Sequence, residues 1–561
     1  MTKLKRYVAD FETTTQENDC HVWAYGTCEV GNTDNTTIGT RIDDFMEWCA
    51  KENKIVYFHN LKFDGEFIIH WLFNHGFTYS KDPKEKTFST VVSSIDQFYI
   101  IEVVFGVGNK KLQKVTFYDS LKKLPFPVRK IAQDFNLPIQ KLEIDYNEER
   151  KESHVLTEQE IEYVLHDVKI VAMALEIQIA QNLTKITNGS DALNDFKRTI
   201  SKKQFEINFP ILDLEVDADI RQAYRGGFTY VNPRYQNMDI KDGLVFDVNS
   251  LYPSVMYDKP LPYGMPLYFA GQYEHDEMYP LYIQNLTCEF KVKKGYIPTI
   301  QLKNNLSFLP NQYIEESKEP VNLVLTSVDL ELFLEHYDVW NIEYINGWKF
   351  KQCQGIFKPY IDKWGQVKKE NKGAIRQLAK LMLNSLYGKF GTNPDVTGKI
   401  PYLDENNIVK WKLDEKTYRD PIYIPMGVFI TAWARHKTIS TAQLCYDRFI
   451  YADTDSLHLV GTEIPEPIEH LIDDKELGYW AHESTFTRAR FLRQKTYVEE
   501  INGKLHVTCA GMPDAIKEKV TWDTFKKGFH SYGKLLPKRV QGGIILKDTE
   551  FTLKIKEQYY V

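Results

Sequence analysis

Two groups of acids in this chain have the residue types and spacing for phosphoryl chemistry. The first is in Tyr451-Ala-Asp453-Thr454-Asp455-Ser456, after the strand-like Arg448-Phe-Ile. Read as an extended segment, it turns Asp453 and Asp455 to one face. Close carboxylates repel unless a cation sits between them. An all-oxygen set suits Mg²⁺, which keeps several waters and takes substrate phosphates as ligands. The second group is dispersed: Asp10 and Glu12, then Asp64, then Asp167 four residues after Tyr163. Four carboxylates are the inventory for two divalent ions about 4 Å apart, one activating a water and one stabilising a leaving oxygen. Tyr163 could orient that water. Each signal taken singly is a short polar motif of the kind that arises by chance, so the elements around them must decide.

Those elements can be read from pattern. Tyr7-Val-Ala-Asp10-Phe-Glu12-Thr13-Thr is a strand with both acids on one face. Ile55-Val-Tyr-Phe-His59-Asn60 is a second strand, running through Leu61-Lys-Phe63-Asp64-Gly65 into a helix over Glu66–Asn74 that Gly76 ends. Thr157-Glu-Gln-Glu160 is a capping box. The helix it opens, Glu158 to about Gln181, carries Tyr163 and Asp167 on one face. Leu244–Val248 is a buried-type strand with Asp247 near its end, where a metal ligand would face an open cleft, and Pro253 follows near a helix start.

Gly373–Gly388 is the clearest helix, with Ile375, Leu378, Ala379, Met382 and Leu386 as its buried stripe. Arg376, Lys380, Asn384 and Tyr387 fall within about 80° of one another on another face. Cations one turn apart suit a triphosphate, and the Tyr387 ring suits a base. In Tyr224-Arg225-Gly226-Gly227 the paired glycines permit close backbone approach, as a phosphate-contacting junction needs. Ile400–Leu403 and Ile408–Leu413 flank Asp404-Glu-Asn-Asn407, a hairpin signal.

At 561 residues, 43% hydrophobic and 14% aromatic, the chain supports large cores and several domains. The net charge of −7 argues against a generally basic nucleic-acid binder. Residues 358–380 and 516–540 each carry seven basic and two acidic residues, so two local stretches can meet phosphate. Seven widely spaced cysteines without a CxxC predict a reducing compartment and no zinc site. The opening Met1-Thr-Lys-Leu-Lys-Arg lacks the apolar run of a signal peptide. The uncharged stretch Pro421–Ala434 is 14 residues, short of the roughly 20 that span a bilayer.

The set DFET, HNLKFDGEF and YxxxD resembles the three Exo motifs of DEDD-type 3′–5′ exonucleases, the proofreading domains of family B DNA polymerases. The resemblance implies that Thr13, Asn60 and Phe63 hold a single-stranded 3′ end. It makes Lys141 an auxiliary catalytic lysine and Glu143 a further candidate ligand. Ser120-Leu121-Lys-Lys-Leu-Pro-Phe126-Pro is similar to a segment of protein-primed polymerases in which Ser120, Leu121 and Phe126 contact primer strand or terminal protein. Tyr224 to Gly227 resembles the YxGG junction. Asp247-Val-Asn-Ser250-Leu-Tyr252-Pro resembles motif A. Motif A implies Asp247 as partner of Asp453 and Asp455, the Val248 carbonyl as a further ligand, and Tyr252 beneath the incoming sugar. Lys380 to Gly388 resembles motif B, with Lys380 on the nucleotide phosphates, Lys368 as a second phosphate contact, and Asn384 and Tyr387 checking the nascent pair. Thr431-Ala-Trp-Ala-Arg435 resembles TxxAR, with Arg435 on DNA phosphate. Lys495-Thr-Tyr497 resembles KTY, with Lys495 at the primer end or the priming residue.

The resemblance covers nearly the whole chain in family order and is to protein-primed family B DNA polymerases of the phi-twenty-nine bacteriophage type. The stretch Val498–Val507 is short for that family. The implied fold is a multidomain α/β (α+β) right hand with an N-terminal RNase H-like 3′–5′ exonuclease domain. The implied divisions are exonuclease 1–187, palm 188–258 and 422–514, terminal-protein-region insertions 259–357 and 395–421, fingers 358–394 and thumb 515–561. The implied activity is processive, strand-displacing, protein-primed replication of a linear genome with proofreading, using Mg²⁺, with Mn²⁺ as the alternative ion. The implied partners are template and primer DNA, dNTPs, a terminal protein, and single- and double-stranded DNA-binding phage proteins. The implied location is the cytoplasm of a bacterial host. Two alternatives stay open at this point: a nucleic-acid-primed family B polymerase and an inactive DNA-binding scaffold.

Overall fold

The computed structural model describes residues 4–108, 111–145, 148–151, 153–302 and 312–555. Parts of the expected divisions lie outside the described residues: 1–3, 109–110, 146–147 and 152 of the exonuclease division, 303–311 of the first insertion and 556–561 of the thumb.

The N-terminal sheet has eight strands, and its middle is parallel. Lys5–Thr13 pairs in parallel with Lys54–Phe58, which pairs in parallel with Lys111–Asp119. Val8, Val56, Phe58, Val115 and Phe117 are at most 1% exposed, as strands covered on both faces require. Parallel strands end on the same side, and ligands bind outside their carboxyl ends. Asp10 and Glu12 finish the first strand, Asn60 and Asp64 follow the second, and Asp119 ends the third. The Asp119 carboxylate accepts from the N–H groups of Asn60, Leu61 and Leu121, tying these ends together. The helix Glu158–Ala180 starts at the expected capping box and packs across Lys5–Thr13 and Val22–Glu29.

One detail of this region differs from the pattern in the sequence. The helix expected from Glu66 begins at Leu61, because Asn60 adopts a left-handed conformation (φ +79°) that turns the chain straight from strand into helix. Asp64 is therefore a first-turn helical residue. In the segment after Ser120, Lys123 is 3% exposed and paired with buried Asp191, and its carbonyl accepts from Gln178 and Asn188.

The second sheet is antiparallel, with seven strands. In spatial order these are Lys504–Cys509, Thr496–Ile501, Trp480–Arg493, Ile240–Val248, Ser456–Val460, Phe449–Asp453 and Thr229–Val231. The register sets Asp247 opposite Ser456, and Ser456 opposite Asp453. The stretch Val498–Val507 is short because Asn502 and Gly503, both at positive φ, turn one strand directly into the next. The apolar helix Ile424–Leu444 backs the sheet and is buried on nearly every side.

A four-stranded sheet spans Leu261 to Cys353. The helices Lys358–Glu370 and Gly373–Phe390 pack against each other. The predicted hairpin forms as Lys399–Leu403 with Val409–Leu413. A last hairpin pairs His530–Val540 with Gly543–Thr552. Both hairpins dock on the first domain: Val409 and Ile544 join its hydrophobic core at 2% exposure each. Fully buried Glu66 accepts from Arg539 Nε at 2.7 Å and Trp411 Nε1 at 3.1 Å, so one carboxylate oxygen gathers three parts of the chain. No helix among the described residues is long and apolar enough to cross a membrane, and all seven cysteines are free.

Candidate active sites

At the first centre, Asp10, Glu12, Asp64 and Asp167 stand near enough to one another to interact electrostatically. The N–H of Phe11 donates to Asp64 at 3.3 Å, fixing the helix start against the strand. Burial and then Asp167 push the Asp10 carboxyl up to about 7. Glu12 is raised by burial and then by Asp10 and Asp167, and Asp64 by burial and then by Asp10. Lys141 bonds Asp167 and donates to the Tyr163 hydroxyl at 3.2 Å. A cavity of about 230 Å³ is lined by Asp10, Glu12, His59, Lys141, Tyr163 and Asp167.

Thr13 and Phe63 are half-buried and Asn60 is exposed beside this centre. Glu143 does not join it; its carboxylate is 79% exposed and meets Arg129 at 2.5 Å. Ser120 is also corrected. It is fully buried, donates to the Phe58 carbonyl at 3.1 Å and bonds His59 Nδ1 at 3.0 Å, so its hydroxyl is committed inside. Leu121 and Phe126 remain half-buried. His59, whose Nε2 meets the Phe126 carbonyl at 2.8 Å, is a cavity residue the sequence reading missed.

The second centre is built from turns. Phe449–Asp453 and Ser456–Val460 are joined by Thr454-Asp455 alone, with Thr454 at φ +61°. The segment is thus a two-residue hairpin turn and not an extended run, because a tight hairpin demands left-handed backbone at its tip. The turn still aims Asp455 at Asp247: the N–H of Val248 donates to the Asp455 carbonyl at 2.7 Å. Asp247 is pushed up to about 7 by burial, then by Asp455 and Glu483. Asp455 is raised by burial, with Asp453 and Glu483 adding to it.

Asp453 stands differently. It meets Lys495 Nζ at 3.1 Å and accepts from Thr229 at 3.0 Å and Tyr451 at 3.2 Å, so its acceptor capacity is taken. It fits as a support more than as an ion ligand. Glu483 was not anticipated. It is the extra residue of a bulge in Trp480–Arg493, where Ser484 opposes Val245 and His482 opposes Phe246, and bulges re-aim side chains beside sites. No sequence signal separates it from an exposed strand acid.

Cations and rings close the other side of this centre. Lys368 Nζ lies 3.4 Å from the Ser250 hydroxyl, three residues after Asp247, and Arg376 donates to the Lys368 carbonyl at 2.8 Å. Burial, then Arg376 and Lys380, hold the Lys368 ammonium below its usual range, as cations gathered without an anion require. Tyr252 and Tyr387 stack with ring centroids 3.9 Å apart. Asn384 is exposed on the same helix.

The junction residues are largely interior. Arg435 is 4% exposed, grips Asp329 with two nitrogens at 3.1 and 2.7 Å, and donates to the carbonyls of Arg225 and Gly226 at 2.9 Å each. Its donors face protein, which corrects the expected phosphate contact. Thr431 is 1% exposed and bonds its own helix backbone, and Arg225 is 9% exposed. Both are correspondingly withdrawn from DNA, Thr431 because its helix is buried on nearly every side and Arg225 because it packs against that helix, its carbonyl accepting from Arg435. Tyr224 packs on Gly391, Gly226 is exposed, and Gly227 touches Thr454. Tyr497 lies beneath Tyr451, with ring centroids 5.1 Å apart.

Both centres fit divalent ions chemically. Each gathers carboxylates raised first by burial and, for Asp10, Glu12, Asp64, Asp247 and Asp455, further by neighbouring acids, and Asp167 Oδ1 is buried without a partner. As placed, no three acids or imidazoles among the described residues converge at ligand distance.

The whole chain resembles known DNA polymerases. The family described as DNA polymerase type B, organellar and viral, matches residues 46–473. The chain is 54% identical to the DNA polymerase of Bacillus phage B103, over 98% of this chain and 100% of that one. It is 52% identical to that of Bacillus phage phi29 over 98% and 99%, and 35% identical to that of Streptococcus phage Cp-1 over 99% of each. It superposes with a TM-score of 0.95 on Phi29 DNA polymerase complexed with primer-template DNA and incoming nucleotide substrates, at 51% identity over 98% of this chain and 100% of that one. The same score is found for the complex of that enzyme with single-stranded DNA. The chain belongs to the organellar and viral type B DNA polymerases.

Proposed function

We propose that this DNA polymerase copies a linear genome from a protein primer, displaces the strand ahead of it and proofreads its product. The observation that carries the reading is the presence of two separate carboxylate centres with different surroundings. One has cations and tyrosine rings, as polymerisation needs. The other has Lys141 and Tyr163, as hydrolysis needs.

At the polymerising centre Lys368, Arg376 and Lys380 bind the triphosphate, and Asn384 and Tyr387 contact the nascent pair. Tyr252 floors the sugar, and Lys495 holds the primer end over Asp453. The primer 3′-hydroxyl attacks the α-phosphate in line, forming one P–O bond as the bond to pyrophosphate breaks. At initiation a terminal-protein hydroxyl takes the place of the 3′-hydroxyl. Asp247, Asp455 and the Val248 carbonyl would hold divalent ions here, as Asp10, Glu12, Asp64 and Asp167 would at the other centre. The chemistry such ions supply when bound, Mg²⁺ or Mn²⁺, is neutralisation of charge on the attacking and leaving oxygens. At the hydrolytic centre Tyr163 orients the water, Lys141 holds Asp167 and Tyr163 in place, and Thr13, Asn60 and Phe63 hold the frayed 3′ end.

The divisions of the chain follow: exonuclease to 187, palm 188–258 and 422–514, insertions 259–357 and 395–421, fingers 358–394, thumb from 515. The docked hairpins support a ring around DNA, and the phage relatives support the bacterial cytoplasm as the place of action, with phage DNA-binding proteins as partners. The test is extension of a primed single-stranded circle by the purified protein with Mg²⁺ and dNTPs alone. Products many times the circle length are expected. Arrest after one lap would favour a nucleic-acid-primed enzyme, and binding without synthesis would revive the scaffold alternative.

A further inference from the structure

His458 and Glu499 form a buried pair that the proposed chemistry does not use. His458 Nδ1 lies 2.7 Å from Glu499 Oε1, and the two side chains are 2% and 7% exposed. His458 sits in the row directly beneath the catalytic one: Asp247, Ser456 and Asp453 oppose each other across three strands, and Val245, His458 and Tyr451 form the next row on the same face.

Glu499 comes from Thr496–Ile501, three strands away in spatial order. In a flat sheet that is roughly 14 Å, at about 4.8 Å per strand. A hydrogen bond across that interval means the sheet curls until its edge closes over its own middle. The curl encloses four rings: His458 stands 5.3 Å from Tyr451 and 5.4 Å from both Phe491 and Tyr497.

The strand that bears Glu499 begins one residue after Lys495. Lys495 is the tip of the hairpin from Trp480–Arg493, at φ +54°. Its N–H donates to the Tyr451 hydroxyl at 3.1 Å, that hydroxyl donates to Asp453 at 3.2 Å, and its ammonium meets Asp453 at 3.1 Å. The ladder to Trp480–Arg493 and the Ala510 N–H, which donates to the Lys495 carbonyl at 2.9 Å, hold this tip to its neighbours in the sheet. The His458–Glu499 bond and the rings it encloses brace, from below, the contacts that Lys495 makes with the catalytic hairpin.

We infer that His458 and Glu499 are positioning residues for nucleotide addition, pinning the curl of the sheet so that Lys495 stands over Asp453. This rests on the reading of Asp247 and Asp455 as the polymerising centre. Replacing both partners of a buried hydrogen-bonded pair by apolar side chains of similar volume is often nearly neutral. The pair can therefore be removed without unfolding the chain.

The experiment compares Glu499→Gln, which keeps an acceptor for the ring N–H, with the double variant His458→Leu, Glu499→Leu. Each is read for single-nucleotide insertion, single-strand 3′ degradation and Tm. The double variant is expected to insert about tenfold more slowly, with KM for the nucleotide, degradation and Tm unchanged. Glu499→Gln is expected to insert at nearly the normal rate. Normal insertion by the double variant would overturn the inference. So would parallel loss of insertion, degradation and Tm, which marks a merely structural pair. Asp455→Ala is the control: synthesis surviving in it would overturn the underlying reading of the centre, whatever the Glu499 variants do.

Discussion

Gly227 and Thr454 are in contact so close that a Cβ on Gly227 would stand 2.5 Å from the Thr454 hydroxyl. Beside them the Thr454 N–H donates to the Phe228 carbonyl at 2.6 Å. The glycine pair that reads as a junction in the sequence is thus the surface on which the catalytic turn rests. The space is needed because Thr454 must stay left-handed for Asp455 to face Asp247.

Gly227→Ala is therefore expected to push the turn aside and slow nucleotide insertion by about tenfold to a hundredfold. Single-strand degradation by the same protein should be unchanged, because that centre lies on the other sheet. Normal insertion rates in this variant would remove the turn from its place in the mechanism.

How far the sequence carried can be judged from this site. The acids, the cation-bearing helix and the capping-box helix were legible because short-range periodicity and spacing encode them. What escaped depends on contacts distant in sequence. Asp453 and Asp455 look equivalent in a two-residue alternation; only the hairpin turn separates the free carboxylate from the one occupied by Lys495, Thr229 and Tyr451. Glu483 needs a bulge to reach Asp247. Ser120, Thr431 and Arg435 carry donors that would suit DNA, but burial assigns them to His59, a helix backbone and Asp329.

Arg435→Ala removes the fork that spans both oxygens of Asp329 and leaves that carboxylate with only Thr326 and the nearby Arg225, at a cost of up to about 3 kcal/mol. A large fall in the denaturant midpoint is expected, and Arg435→Lys should not restore it, since lysine lacks the fork that spans both carboxylate oxygens. Normal stability with weakened, less salt-dependent DNA binding would instead assign Arg435 to a phosphate.

Arg539→Ala should undock the last hairpin from the first domain, leaving buried Glu66 without a cation and with only the Trp411 N–H, at about 3 kcal/mol. Gly542→Ala should do likewise, since its Cβ would collide with the Cys20 carbonyl at φ +97°. Single insertions are expected to proceed normally while products of continuous synthesis shorten and amide exchange in residues 540–545 quickens. Full-length products from both variants would separate this contact from processivity.

Without divalent ions, the raised carboxyls make folding stability depend on pH in a definite direction. Asp10 and Asp247 titrate near 3.8 when unfolded and at about 7 when folded. Between those values the folded state binds more protons, so their contribution is complete below about pH 4 and is lost as pH rises through about 7. Added Mg²⁺ should restore stability above pH 7, and Asp10→Asn with Asp247→Asn should flatten the slope. Differential scanning across pH 5–8 in chelator checks both.

The most direct test of the central claim, two separate carboxylate centres in one chain, measures synthesis and 3′ degradation side by side in two variants. Asp455→Ala should lower synthesis on the order of a thousandfold and leave degradation of single strands intact. Asp10→Ala with Glu12→Ala should do the reverse. Loss of both activities in either variant would contradict the account.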